Sequence, residues 1–469
     1  MNGPVAHTAH GWWLEEAGAA MPQPPLEGTR SADVAIVGGG YAGLWTAWHL
    51  LAADPGLRVV VLEADRCGHG PSGRNGGFCE SYWRAIALLR AAFGDAGARA
   101  LADASSESVL AIGRFCLQEG VDAWFEQAGS LAVETAPAHE GFGADAVAAA
   151  AALGAPERIQ PLDAAAVRAR CDAPRFGAGV LVPDFATVQP ARLALGLRDR
   201  VIARGATVHE GARVRALHRH PGGRVRLETD GARVDAGAAV VAINAAARGL
   251  RPFRGRLAVA SSHVVLTEPV GDVLDALGWT GGESITDART MLHYMRPTRD
   301  RRIAFGWAGG RLAYGARLRG HVELDPGTVR TVHEHLVQTF PMLRGRRITH
   351  AWGGPIDASP NRLLQIDSLA GDRVHTAFGF SGNGVGPSHL AGRILADLAL
   401  DRRTELTRLP VVGSAPDGVP PEPLAWAGGS VVRAAMVRRD RLHDKGRRPD
   451  PLTRLACRAP QLLGIHLAR

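Results

Sequence analysis

Apolar positions along the chain fall into runs of two kinds. Val34-Ala35-Ile36-Val37 and Val59-Val60-Val61-Leu62 are short and unbroken, the pattern of strands covered on both faces. Between them, residues 44–52 place apolar side chains at helical spacing, after the turn Gly38-Gly39-Gly40-Tyr41-Ala42-Gly43. The pattern predicts strand, turn, helix and strand over residues 34–62, with Glu63 closing the second strand.

Residues 82–119 are rich in alanine and leucine with breaks near Gly94 and Gly97, which predicts two helices. A helix over 192–204 leads into short strands near 206–209, 214–218, 225–229 and 238–243, with hairpin turns at Gly222-Gly223 and Asp230-Gly231. From 258 to 310 the pattern changes to longer alternating strands, among them 263–267 and 302–307, as in an antiparallel sheet. A helix over 328–340, a strand over 374–377 and a helix through 389–398 follow. A proline-rich stretch, 410–423, separates the C-terminal helices. The expected class is α/β with an added antiparallel sheet.

The turn at 38–43 carries the first chemistry. Gly38 permits a tight turn, Gly40 lets backbone approach a pyrophosphate, and Gly43 allows close packing of helix on strand. The helix N-terminus supplies amides and a positive dipole end. A glycine-rich turn arises by chance in a chain with 58 glycines. Here it follows a strand, opens a helix and has Glu63 about 20 residues on, where a ribose-binding carboxylate belongs. With the second glycine cluster at 72–77, the segment reads as a flavin dinucleotide site. A further turn, Gly379-Phe380-Ser381-Gly382-Asn383-Gly384-Val385-Gly386, aims a second helix N-terminus and suits an electron-rich group such as the pyrimidine edge of a flavin.

At 469 residues the chain has room for two or three domains. No apolar run reaches bilayer-spanning length. The N-terminus, with Trp12-Trp13 between histidine and glutamates, lacks a basic region followed by an apolar core, so export is not expected. The five cysteines, Cys67, Cys79, Cys116, Cys171 and Cys457, are scattered without a CxxC pair. That argues against a disulfide framework or zinc site and fits a cytoplasmic location. His333 and His335 are two apart and no HExxH occurs, so no metal is expected.

Net charge is +8, yet residues 431–469 hold ten Arg/Lys against three acids. The excess is therefore a property of the tail, and nucleic acid is not an expected partner. Two readings of the tail stand side by side. One is peripheral contact with an anionic membrane or an acidic partner. The other is a solvated helix docked through Val431, Val432, Ala435 and Met436. Lys445 is the only lysine in the chain.

With these landmarks placed, the chain resembles the FAD-dependent D-amino-acid oxidase superfamily, and within it the gamma-glutamylputrescine oxidase group. The resemblance rests on residues 34–45 and the cluster Ser72-Gly73-Arg74-Asn75-Gly76-Gly77. It extends to Val188-Gln189-Pro190-Ala191-Arg192-Leu193, Ile243-Asn244-Ala245, Trp352-Gly353-Gly354, residues 379–386 and Pro420-Pro421-Glu422-Pro423-Leu424. It implies a discontinuous Rossmann-like FAD domain over 31–100, 166–250 and 346–405, and an α+β substrate domain over 101–165 and 251–345. An extension would lie at each end, 1–30 and 406–469.

FAD contacts implied by position are Gly38, Gly40, Tyr41, Ala42 and Gly43 at the first turn, then Glu63 and Ala64. Ser72, Gly73, Arg74, Asn75, Gly76 and Gly77 would line pyrophosphate and ring, Val214 would present backbone to adenine, and Ser381, Gly382, Asn383, Gly384 and Val385 would meet the pyrimidine end. The implied chemistry is oxidation of a C–N bond by hydride transfer to flavin N5, giving an imine that hydrolyses to aldehyde or keto acid.

Substrate-site candidates are His263, Tyr294, Arg296 and Trp352. Tyr294 and Arg296, two apart on a strand, share a face. Arg296 either clamps a carboxylate or phosphonate under Tyr294, or pairs with an acid at the strand end. His263 reads as a satisfied sheet residue as readily as a catalyst, and Trp352 as packing near the flavin.

Three departures from the family pattern bear on function. Gly68-His69-Gly70-Pro71 precedes the cluster, and some relatives attach flavin through a histidine here, so attachment at His69 stands beside non-covalent binding. Asn361-Arg362-Leu363-Leu364-Gln365-Ile366-Asp367 replaces the family's Asp-Arg-x-Pro-x-Ile-Gly. Related sarcosine oxidases use an active-site lysine to activate oxygen, so the acceptor is oxygen or another oxidant. An NADPH-dependent monooxygenase or reductase is a further alternative, although Gly382-Asn383-Gly384 does not extend into a second dinucleotide motif. A non-enzymatic FAD-fold binding protein would not need an intact cofactor cluster.

Overall fold

A computed structural model describes residues 6–7, 11–18, 20–220, 223–369, 373–413 and 418–462. Two sheets organise it. The strand Thr29–Val37 lies between the parallel strands Arg233–Val241 and Val59–Leu62, with Thr207–His209 beyond the latter. Val374–Phe378 joins Arg233–Val241 on its other flank. The unbroken apolar runs belong here because helices cover the sheet. Tyr41–Ala53 packs on Val385–Ala399 so closely that a Cβ on Gly392 would lie 2.5 Å from the Cβ of Trp45.

The second sheet has nine strands, antiparallel through its centre: Ile348–Ala358, Ala258–Thr267, Ile303–Trp307, His293–Pro297 and Ser284–Asp287 in spatial order. Its outer face is covered by the helix Pro326–Thr339, whose Val329, Val332 and Leu336 pack with Val265, Met295 and Phe305. Its inner face meets Trp12, Trp13 and Ala191 through Val264, Leu266, Ala304 and Trp352.

Most expected elements are present, extended by a few residues. The helix predicted over 44–52 spans Tyr41–Ala53, and that over 389–398 spans Val385–Ala399. The paired helices of 82–119 form Ile86–Gln118, broken where Gly94 takes φ 67°. The Asp230-Gly231 hairpin forms, with the Thr229 amide bonded to the Ala232 carbonyl, whereas Gly222 lies outside the described residues. The strand expected at 214–218 starts at Ala216.

Sheet membership corrects two implied boundaries. Ile348–Ala358 pairs with Ala258–Thr267, and Gly179–Val182 pairs with Ser130–Val133. Both strands therefore belong to the nine-stranded sheet rather than to the nucleotide-binding half. The described helix Trp12–Ala17 is integral too, since Trp13 is buried and its carbonyl accepts from Gln189 Nε2 at 2.7 Å.

In the C-terminal helix Leu424–Asp444, Met436 is buried as expected, but Val431 faces outward because Arg433 and Asp440 anchor the opposite side. All five cysteines are buried and unpaired. His335 bonds to His293, which bonds to Asp287 on the outer face of the sheet. Among the described residues no helix is long and apolar enough to cross a membrane, and no cluster of three or more metal-ligating side chains occurs.

Candidate FAD and substrate site

The first turn leaves little room for side chains. Gly38 takes φ 113°, a conformation that strains residues with a Cβ. A Cβ there or on Gly43 would collide with a carbonyl oxygen, of Ala242 or of Gly38 respectively. Gly40 precedes the helix Tyr41–Ala53 and, as a glycine, supplies no side-chain cap. Ser72 Oγ accepts the Tyr41 amide at 2.9 Å, which brings the second cluster against the first. Glu63 Oε2 accepts the Gly39 amide at 2.7 Å and Oε1 the Asp65 amide at 2.9 Å. Burial raises its carboxyl, with these amides opposing. The Ala212 amide bonds to the Glu63 carbonyl, which brings the chain leading to Val214 alongside Glu63 and Ala64.

Asn75 shapes the 72–77 loop. Its Nδ2 donates to the carbonyls of Pro71 and Ser72, and its Oδ1 accepts the Gly77 amide at 2.7 Å. From the other sheet, Trp352 Nε1 donates to the Arg74 carbonyl at 2.8 Å, while the Arg74 side chain lies 3.7 Å from Glu323. Trp352 thus packs against the 72–77 loop with its indole nitrogen satisfied. His69 turns its ring to Asp65 at 3.3 Å.

The third loop is held from beneath. Asp357 accepts the Gly379 amide at its Oδ2 and the Ser381 amide at its carbonyl. Ser359 bonds to the Leu363 carbonyl and to Ser381. Gly379, Ser381 and Gly382 all have positive φ, and Gly384 precedes Val385–Ala399 without a side-chain cap. Asn383 Oδ1 is buried with no partner.

Strand register sorts the substrate-site candidates. Tyr294 lies opposite Gly306, Gly306 opposite Val264 and Val264 opposite Trp352. Directly paired residues share a face, so this row looks inward. Tyr294 fills the space over Gly306, which has no side chain, and a Cβ on Gly76 would lie 2.9 Å from its ring. Its hydroxyl pairs with Ser262 Oγ at 2.7 Å, and burial pushes the phenol up to about 12.

His263 belongs to the neighbouring row, with Trp307, His293 and Gly353, and looks outward. Its Nε2 accepts the Asp325 amide at 2.9 Å beside the outer helix. Alternation along the strand therefore separates His263 from Tyr294, and the expectation that they share a site is corrected.

Arg296 does face inward, but the bonds of its guanidinium go to carbonyls and not to the acid expected at the strand end. Its Nη1 donates to the Val188 carbonyl at 2.6 Å and the Gly77 carbonyl at 3.3 Å, with the guanidinium 5.5 Å from the Trp13 ring centre. Burial lowers it to about 10. It ties the 72–77 loop to the Val188 segment.

Ser262, Asp357 and Ser359 were not singled out from sequence. Asp357 had a signal, an acid between Ile356 and Ala358 just beyond the Trp-Gly-Gly motif.

These features fit a dinucleotide flavin: two helix N-termini preceded by glycine, a glycine turn with no room for a Cβ, and an unpartnered Asn383 oxygen. Residues 33–398 match the family model DAO, FAD dependent oxidoreductase. The chain is 30% identical over 406 residues to gamma-glutamylputrescine oxidoreductase of Escherichia coli, covering 84% of this chain and 89% of the relative. It is 29% identical over 440 residues to a Rhizobium meliloti protein named "Probable oxidoreductase OrdL", covering 91% and 94%. Glycine oxidase from Geobacillus kaustophilus superposes with a TM-score of 0.66 at 19% identity, over 81% of this chain and 98% of that one. The cofactor is FAD, and the chain belongs to the DAO family of FAD-dependent oxidoreductases.

Proposed function

We propose that the protein oxidises the C–N bond of an amine or amino acid to an imine, which hydrolyses to an aldehyde or keto acid. The observation that carries this reading is the packing of the Tyr294 face of the nine-stranded sheet on the 72–77 loop. The similarity to gamma-glutamylputrescine oxidoreductase and glycine oxidase supports the amine class. FAD, when bound, supplies the hydride acceptor.

The chain's own groups would do the rest. The glycine-preceded N-terminus of Tyr41–Ala53 and Ser72 would hold the pyrophosphate, Glu63 and Ala64 the ribose, and Val214 the adenine. Residues 381–385, at the N-terminus of Val385–Ala399, would hold the pyrimidine end. Arg296 and Asn75 fix the loop between, so little reorganisation accompanies reaction. Trp13 and Trp352 close the interior to water. Tyr294, protonated throughout the working pH range, orients substrate by hydrogen bonding.

A second reading, a dehydrogenase that passes electrons to an acceptor other than oxygen, is favoured by the lysine distribution. Lys445 caps the C-terminus of Leu424–Asp444 in the tail. We assign a cytoplasmic location, which the five unpaired buried cysteines support.

Anaerobic mixing of the FAD-loaded protein with amines and amino acids tests the reaction. Bleaching of the flavin by one amine class is the expected result, and the speed of recovery in air separates oxidase from dehydrogenase. Bleaching by NADPH and by no amine would overturn the assignment.

A further inference from the structure

The family match ends at residue 398, and the charge excess lies beyond it. The helix Leu424–Asp444 docks on the nine-stranded sheet and consumes its acids in doing so. Asp440 accepts the amides of Thr290 and Met291, and Asp444 pairs with Arg175 and Arg289. Asp450 accepts the Thr453 amide and pairs with Arg438. Arg433 and Arg439 are committed to the Gly309 and Gly310 carbonyls and to the Thr290 hydroxyl.

The outward side of the same helix is a single stripe. Leu424, Ala427, Val431, Ala434, Arg438, Arg441 and Lys445, spaced by three or four, are all exposed. The next helix, Pro451–Leu462, packs against it through Thr453 and Cys457 and turns Leu452, Arg454, Leu455 and Arg458 outward. Leu424 and Val431 are 64% exposed, Leu452 78% and Leu455 63%. Trp426 is half-exposed against Tyr314. Among the described residues, no carboxylate lies within ion-pair distance of Arg441, Lys445, Arg447, Arg448, Arg454 or Arg458.

We propose that this C-terminal helical hairpin holds the protein on an anionic lipid surface. Exposed leucines beside unpaired arginines suit the bilayer interface, where aliphatic groups enter the acyl boundary and guanidinium groups meet lipid phosphate. Trp426 suits the headgroup level. A second copy of this chain is disfavoured as the occupant. Pairing the face with itself would set one array of unneutralised cations against another. An acidic protein would satisfy the charges, but the leucines then need a shaped pocket, whereas a bilayer accepts them at any spacing.

Cosedimentation of the full FAD-loaded chain with vesicles tests this. Phosphatidylcholine vesicles with about 30% phosphatidylglycerol should carry the protein down, and pure phosphatidylcholine should not. Raising salt from about 0.1 to about 0.5 M should release most of it, because screening shortens. Two exposed sets of changes, Leu452→Glu with Leu455→Glu and Arg441→Gln with Lys445→Gln, Arg447→Gln and Arg448→Gln, should each lower binding by about fivefold or more. The flavin spectrum and melting temperature should stay as in the parent. No binding to the anionic vesicles, or binding that neither set weakens, overturns the proposal. So does a concentration-dependent dimer that the same changes dissociate without any vesicle binding.

Discussion

The carboxylate of Asp357, on the strand Ile348–Ala358, accepts the amide of Gly379 at 2.7 Å. One sheet thereby holds the loop that opens a helix of the other. Burial pushes Asp357 up to about 7 from the ordinary 3.8, against bonds from Gly379, Phe380 and Asn244. Between those pH values the folded protein keeps a proton that the unfolded chain has released. The contribution to stability is full below 3.8 and is lost as pH rises through about 7. Asp357→Asn keeps an acceptor for Gly379 and should retain FAD while flattening that part of the melting-temperature profile. Asp357→Ala leaves buried amides unpaired, costs about 1–3 kcal/mol, and should loosen FAD. An unchanged pH slope in the asparagine variant would refute this account.

Tyr294 and Ser262 bond at 2.7 Å, and Ser262 also donates to the Trp307 carbonyl. Tyr294→Phe therefore leaves Ser262 with a partner, and should cost about 1 kcal/mol of stability. If the hydroxyl orients substrate, kcat/KM should fall about tenfold, the equivalent of about 1.4 kcal/mol. With its phenol near 12, Tyr294 does not titrate in the working range. The pH–rate profile of the variant should be lower but unshifted, and a displaced alkaline limb would mean that Tyr294 is itself the titrating group.

How much of this was legible depends on whether a feature is local. The strand–turn–helix over residues 34–62 was readable because both sheet faces are covered, which leaves unbroken apolar runs, and because Gly43 packs on Gly38 and Ile36 within that unit. The shared face of Tyr294 and Arg296 followed from alternation. Which face His263 takes did not, because alternation orders residues within one strand and only pairing of Val264 with Trp352 fixes the faces between strands. The strand Ile348–Ala358 was masked by its Gly-Gly-Pro sequence. The partners of Arg296 are carbonyls of Val188 and Gly77, distant groups with no sequence signature.

Those carbonyls yield a prediction that separates support from substrate binding. Arg296→Met takes this donor from the Val188 carbonyl, at about 1–3 kcal/mol, while the Gly77 carbonyl keeps the Val188 amide at 2.8 Å, so the melting temperature and FAD retention should both fall. For protein reloaded with FAD, KM should change little. A large rise in KM for carboxylate substrates with FAD retention intact would instead restore Arg296 to the role of a carboxylate clamp.

A Cβ on Gly43 or on Gly76 would be crowded, but what crowds it differs. A Cβ on Gly43 would run into the Gly38 carbonyl oxygen and approach Ile36 to 3.1 Å, inside the covered turn. Backbone cannot step aside there without moving the helix off the strand, so Gly43→Ala should abolish FAD binding. A Cβ on Gly76 would meet the ring of Tyr294 at 2.9 Å and that of Phe78 at 3.2 Å. Side chains can shift a few tenths of an ångström, at about 1–3 kcal/mol for an overpacked site. Gly76→Ala should therefore keep FAD, with its visible spectrum perturbed, while turnover drops because Tyr294 is displaced. FAD loss in Gly76→Ala with no loss in Gly43→Ala would invert the assignment of which loop grips the cofactor and which sets the substrate side.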